Sequence, residues 1–373
     1  MRIGVPREIK DGERRVGLTP HGAAVLAGDG HAIVVEHGAG RAVGLDDAAY
    51  VAAGAELGDA DAVWACDCVV KVKEIQPTEY ARLRRGVLVL AFAQLNRDPL
   101  LLDAVLAAGT RVIAYETVRD AAGALPLLAP MSRIAGRLAP LVGSALLGTD
   151  RGGAGVLLPG VDDVPGAEVV VLGAGNVGGE AARVAARLGC RVLVFSRGRE
   201  RLDALERELA GAGTPIGAFT LGASVQRFAD AIAGADLVIG GVLEPGRLSP
   251  HLITRDMLRS MHAGAALVDV GIDQGGIAET SRMTTLSDPS YVGEAVVHYA
   301  VPNMPALVAR TATLALTNAT LPYVRALAGR GFAYALDADP GLAAGVMTWD
   351  GEVVHAGLAQ DRGYTARPSR WTT

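Results

Sequence analysis

Aromatic residues make up only 4% of this 373-residue chain, although half of its residues are apolar. A core must therefore be built from aliphatic side chains and close backbone contacts, which the 48 glycines and abundant alanine can supply. Cysteine is equally scarce. Cys66, Cys68 and Cys190 are too few for a disulfide framework and lack zinc-ligand spacing, so a reducing cytoplasm is expected and no metal site. Cys66 and Cys68 read as two thiols on one face of a strand. No apolar run approaches the roughly 18 residues of a membrane span. The opening "MRIGVPREIKDGERR" has no h-region and does not read as a signal peptide. Neither charge sign dominates: a net charge of −5 excludes a broad basic face for nucleic acid. The partner expected is a small molecule.

What is present is an alternation. "RIGVP", "AIVVE", "CVVKVK", "VLVLAF" and "RVIAYE" read as buried strands, and "HGAAVLAGDG" and "LLLDAVLAAG" as helices ending at glycine. A second series follows in "AEVVVLG", "CRVLVFS", "DLVIGGV" and "AALVDVG". Such βα alternation predicts α/β architecture: two Rossmann-like domains, each a parallel sheet flanked by helices. "SRIAGRLAPLVGSALLG" reads as a long helix suited to bridging them, and "NMPALVARTATLALTNATLPYV" as a helix returning to the first domain. The expected division is residues 1–130 plus 304–373 for substrate and 131–303 for a dinucleotide. The tail "DRGYTARPSRWTT" is expected to fray.

Gly173-Ala-Gly175-Asn176-Val177-Gly178 follows a strand and opens a helix. That context turns G-x-G-x-x-G into a dinucleotide fingerprint, with helix-start N–H groups facing a pyrophosphate. NAD-binding chains carry an acid at the end of the next strand to clamp the adenosine ribose. Here that place holds Ser196 and Arg197, with Arg199 and Arg201 nearby. Arginine pairs with a 2′-phosphate where a carboxylate would repel it, which favours NADP(H). NAD(H) with a weakened ribose contact is the alternative, the arginines then being solvated charges.

Further along, "KVKE", "AYETV", "LPLLAPMSRIAGRLA", "DLVIGGVLEPG", "LVDVGIDQGG" and "HYAVPNMPALVARTATLALTNATLPYV" join "RIGVPREIKDGERRVGLTP" in a series of long phrases. In this order they resemble the alanine dehydrogenase family over nearly the whole chain. That family is itself similar to the nucleotide-binding subunit of proton-translocating transhydrogenase. The resemblance implies hydride transfer between a nicotinamide and a 2-amino, 2-imino or 2-oxo acid in an interdomain cleft, by a homo-oligomer, hexamer or dimer. It assigns Arg15 and Lys73 to the substrate's carboxylate and carbonyl, and Asp273 to proton chemistry beside the cofactor. The family's histidine, in a phrase like "FLHLA", is replaced: "FAQLN" places Gln94 there.

Chemistry alone leaves alternatives open at these positions. Arg15 can grip a carboxylate bidentately or be a solvated charge in a polar run. Lys71 and Lys73, alternating in a strand, can meet an anion or protect an edge. Asp273 stands where parallel sheets bind ligands, or merely forms a turn before Gly275 and Gly276. Asp269 reads as a buried structural carboxylate and His298 as a satisfied core residue, with catalysis as its alternative. Asn303, expected at the substrate, and Met304, expected at the cofactor, lie in the "VPNMP" loop, which either closes over the nicotinamide or is a plain proline-fixed connection.

Glutamine has no useful pKa for expelling water during reductive amination, though it can donate a hydrogen bond to a carbonyl or imine. Arg133 is a second oddity, standing where the family commonly has an acid. Three readings follow from Gln94. Lys73 and Asp273 carry the protons of ordinary amino-acid dehydrogenation; or the chain reduces a preformed, cyclic or N-substituted imine with NADPH; or it is a catalytically silent NADP sensor. A transhydrogenase-like nucleotide-binding subunit is the alternative of another class, disfavoured by the retained Arg15, Lys73 and Asp273.

Overall fold

A computed structural model describes residues 1–242 and 250–367. The strands are β1 (Arg2–Val5), β2 (Ala32–Glu36), β3 (Glu56–Gly58), β4 (Cys68–Val70), β5 (Leu88–Ala91), β6 (Arg111–Ala114), β7 (Glu168–Leu172), β8 (Arg191–Ser196), β9 (Gly217–Thr220), β10 (Leu237–Gly240), β11 (Ala266–Asp269), β12 (Ser290–Gly293), β13 (Val296–Tyr299), β14 (Val346–Trp349) and β15 (Glu352–Val353). The chain divides into two compact units, Met1–Met131 with Ala306–Thr373, and Ser132–Pro305.

In the first unit the sheet order is β15-β14-β6-β5-β4-β1-β2-β3. In the second it is β12-β13-β11-β10-β7-β8-β9. Each contains the order 3-2-1-4-5-6 of a doubly wound fold, β3-β2-β1-β4-β5-β6 and β9-β8-β7-β10-β11-β13. Ligands of such sheets collect at the carboxyl ends of the strands, where the winding reverses. Both interiors are parallel, as the alternation predicts. Both also carry antiparallel pairing at one edge, β14 against β6 and β15, and β12 against β13. In these late hairpins Ser290, His298, Thr348 and Glu352 interrupt the apolar pattern.

The local signals explain the helices. Thr19 and Asp98 each accept a backbone N–H from the first turn, and each is followed by a proline at the first helical position. Where aromatics are few, the Asn176–Arg187 helix lays Ala181, Ala182, Ala185 and Ala186 against Val169 and Val171 of β7. Methyl-sized contacts let helix and sheet approach closely. The predicted long helices appear as Ala129–Leu146 and Ala309–Arg330, with Pro140 and Pro322 inside them.

Two local expectations are corrected. β4 begins at Cys68, so Cys66 lies in the preceding turn rather than on a shared strand face; both thiols are buried. β4 also ends at Val70, so Lys71 and Lys73 are not alternating strand residues. Of the tail expected to fray, Asp361 and Arg362 end the Ala356–Arg362 helix, and residues 368–373 lie outside the described residues. The end of "DLVIGGVLEPG" lies outside them too.

Candidate active site

Arg15, in the connection after β1, is only 1% exposed. A solvated charge is therefore excluded. Glu13 takes its Nε at 2.7 Å and its Nη2 at 2.6 Å, a fork-to-fork pairing, and Glu13 Oε1 also accepts the Arg15 backbone N–H at 2.9 Å. Arg15 Nη1 lies 3.1 Å from Met131 Sδ. Glu13 thus fixes the guanidinium plane from the Nε side.

The two lysines have different surroundings. Lys71 is fully buried, with Nζ 2.8 Å from Glu79 Oε1 and 3.4 Å from Glu8 Oε2. Burial alone would depress its ammonium, but Glu8 and Glu79 outweigh that and leave it raised. Lys71 is therefore structural. Lys73 is 6% exposed. Glu8 Oε1 accepts the Val72 N–H at 2.6 Å and the Lys73 N–H at 3.4 Å, bracing the turn that carries Lys73. Burial raises the Glu8 carboxyl, against the opposing pull of Lys71 and the Val72 N–H.

Gln94 is held in the left-handed region, at φ +47°. A non-glycine residue there is strained, and such strain concentrates at functional sites. Glu116 maintains it, accepting the Gln94 N–H at 2.8 Å and the Ala93 N–H at 3.2 Å. Burial raises the Glu116 carboxyl, while those N–H groups and the field of Lys73 pull it down. Glu116 thus braces the backbone at Gln94 and feels the charge of Lys73. The sequence alone points to the cations and to Gln94 but not to the acids that position them, Glu8, Glu13 and Glu79 for the cations and Glu116 for Gln94. The available signal was an acid inside each phrase, "PREIK", "GERR", "PTEY" and "AYETV".

In the second unit the glycine loop joins β7 to the Asn176–Arg187 helix, beside β10 where the winding reverses. Gly173 has φ +102°, and a Cβ there would stand 2.8 Å from the Gly241 carbonyl oxygen. A Cβ on Gly178 would collide with the carbonyl of Gly173. Gly175 differs: the nearest atom to its would-be Cβ is Arg201 Nη1, at 3.7 Å. The helix that opens at Asn176 has no side-chain cap. Its first N–H groups, the open face at Gly175 and the adjacent cation fit a dinucleotide pyrophosphate. Val177 lies in the same first turn. Ser196 ends β8, paired with Thr220 of β9, and Arg197 is exposed just beyond it. Arg199 pairs with Asp203 at 2.6 Å and Glu206 at 3.4 Å.

Asp273 lies in the Ile272–Gln274 turn after β11. Asp269, at the end of that strand, pins the segment by accepting the Ile277 N–H at 2.7 Å and the Ser281 hydroxyl at 2.6 Å. The reading of Asp269 as a structural carboxylate agrees with this. Asn303 has φ +65°, and Met304 is buried in the core of this unit. Arg133 is exposed on the Ala129–Leu146 helix.

His298 is 1% exposed, stacked on Tyr291, with Nδ1 2.9 Å from the Val296 carbonyl and Nε2 2.8 Å from the Thr280 hydroxyl. Both ring nitrogens are engaged, and burial depresses its pKa. This is a core histidine. Because its folded pKa is lowered, its stabilising contribution is present above the unfolded value near 6.5 and is lost as pH falls through the folded value. His298→Gln should therefore flatten the loss of thermal stability below pH 6.5 relative to wild type; thermal melts from pH 8 to 5 read it, and an unchanged slope would contradict the assignment.

Among the described residues, no group of His, Cys, Asp and Glu could hold a metal ion, and no helix is long and apolar enough to cross a membrane. Two family models match in series: Alanine dehydrogenase/PNT, N-terminal domain, over residues 4–135, and Alanine dehydrogenase/PNT, C-terminal domain, over residues 139–356. An alanine dehydrogenase of Halomonas elongata is 46% identical over 362 residues, 96% of each chain. A solved L-alanine dehydrogenase superposes with a TM-score of 0.92 at 42% identity, covering 97% of this chain and 99% of that one. A solved transhydrogenase from Sinorhizobium meliloti is more distant, with a TM-score of 0.80 at 25% identity over 95% of this chain and 100% of that one. The chain belongs to the alanine dehydrogenase family.

Proposed function

We propose that this protein, an oxidoreductase of the alanine dehydrogenase type, interconverts alanine with pyruvate and ammonia. The observation that carries the reading is the near full-length likeness to alanine dehydrogenases, 46% identical across 96% of both chains. The transhydrogenase likeness is weaker in both identity and superposition. A nicotinamide dinucleotide bound at the glycine loop supplies or accepts the hydride at substrate C2. The first unit, residues 1–131 with 306–373, is assigned to the substrate, and the second, residues 132–305, to the dinucleotide.

In this assignment Arg15, held rigid by Glu13, binds the substrate carboxylate. Lys73, braced by Glu8 and facing the field of Glu116, holds the C2 oxygen and stabilises the charge that grows on it. Ammonia adds to C2, the C–O bond breaks, and the departing oxygen leaves as water after taking a proton from Lys73 or from Asp273. Gln94 donates a hydrogen bond to that oxygen and to the imine that follows, without itself giving up a proton. Asn303 and Met304 are assigned to the nicotinamide end. The cofactor assigned is NADP(H) in preference to NAD(H), because Ser196 and Arg197 stand where a ribose-clamping acid is otherwise found. A homo-oligomer, hexamer or dimer, in a reducing cytoplasm completes the proposal, and light scattering reads the assembly.

Gln94 favours a second reading, reduction of a preformed imine, since that chemistry omits the dehydration for which glutamine has no acid. One assay separates the two: cofactor oxidation with pyruvate plus ammonium against 1-pyrroline-2-carboxylate. Turnover of pyruvate supports the first reading, and turnover of the cyclic imine alone overturns it. In the same assay, Gln94→His should raise keto-acid amination by about 10²-fold or more, the scale of a regained general acid. No gain would remove the role given to this position.

A further inference from the structure

A cavity of about 310 Å³ opens where β8 and β9 end, between the first turns of the Arg199–Gly211 and Val225–Ala233 helices. Its volume is at the lower end for small-ligand sites, roughly 300–1,000 Å³. Phe195 and Phe219, with ring centroids 5.3 Å apart, form its apolar floor. Arg199 and Arg227 form its cationic walls, and Ser224 and Thr220 add hydroxyls.

The two arginines are not equivalent. Arg199 is committed to Asp203, Glu206 and the Ala218 carbonyl. Arg227 packs its guanidinium 4.9 Å from the Phe219 ring centroid and pairs with no carboxylate among the described residues. Stacking on an aromatic face leaves the in-plane N–H donors of a guanidinium available, and it pre-organises the fork. A positive, pre-ordered wall over an aromatic floor suits a phosphomonoester carried on a nucleoside. It lies directly beside Ser196 and Thr220, the paired ends of β8 and β9, and two residues from Arg197.

We infer that this cavity seats the adenosine 2′-phosphate, and that Arg227, about thirty residues beyond Arg197 in the sequence, is a determinant of cofactor choice together with Arg197. The inference rests on the NADP(H) preference above and adds the residue that reads the phosphate. The geometry divides the work: Gly173–Gly178 take the pyrophosphate, and the β8–β9 cavity takes the third phosphate.

The test is calorimetric titration of the full chain with 2′,5′-ADP and with 5′-AMP, which differ only in the 2′-phosphate. Wild type should bind 2′,5′-ADP at least about tenfold more tightly. Arg227→Ala should weaken 2′,5′-ADP by about tenfold and 5′-AMP by less than about twofold, with Arg227→Lys between, because a charge without the fork retains part of the contact. Equal loss for both ligands would overturn the inference. If wild type does not discriminate, the NADP(H) preference itself falls. If wild type discriminates and Arg227→Ala does so equally well, that preference stands and the role of Arg227 falls.

Discussion

Lys71→Met should destabilise the fold by about 3–5 kcal/mol, the scale for removing one partner of a buried ion cluster. Lys71 is wholly buried between Glu79 and Glu8, and no water can replace its ammonium without opening the first unit. The pH dependence gives a second signature. Glu8 already sits above its ordinary value of 4.5 because of burial, with Lys71 as the main opposing pull. Without Lys71 its folded pKa rises further. A raised folded pKa contributes stability below the unfolded value and loses it as pH climbs through the folded value. The variant should therefore be less impaired at pH 5 than at pH 8. Chemical denaturation at the two pH values measures both effects, and a loss below about 1 kcal/mol, typical of exposed pairs, would contradict the buried cluster.

Asp273→Asn should lower kcat by about 10²–10⁴-fold, the usual contribution of a proton-transferring group, while changing the Kd for the dinucleotide little. The substitution is isosteric. The segment that carries Asp273 is anchored by Asp269 through Ile277 and Ser281, so the variant keeps its frame. Asp269→Ala offers the contrast. The Ile277 N–H and the Ser281 hydroxyl both donate to Asp269 Oδ2, and a methyl group accepts neither, so the segment loosens and thermal stability should fall along with activity. Steady-state kinetics with melting curves separate the two. A kcat for Asp273→Asn within about threefold of wild type would remove the residue from the proton chemistry.

Both sheets were legible in the sequence because each interior strand is a short apolar run bounded by turn residues. β14 and β15 were not, since Thr348 interrupts the apolar run of the first and the second has only two residues, one of them Glu352. The glycine loop was legible because backbone crowding at Gly173 and Gly178 forbids any other residue, a constraint visible one residue at a time. The positioning acids were hidden for the opposite reason. Glu8, Glu79 and Glu116 act on partners 63, 8 and 22 residues away, at Lys71 and Gln94, and only the folded chain brings them together. Arg227 was silent in the same way, since its neighbours Phe219 and Phe195 lie on two different strands. The strand assigned to "CVVKVK" ran too far because valine alternation continues past Val70, where the backbone turns to deliver Lys71 into its carboxylates.

The most direct measurement of hydride transfer uses alanine deuterated at C2, incubated with the protein and NADP⁺ or NAD⁺, with mass spectrometry of the reduced cofactor. The account predicts one deuterium at the nicotinamide of the reduced product, and pyruvate formed in equal amount. Absence of label from both dinucleotides, with both shown to bind, would contradict it.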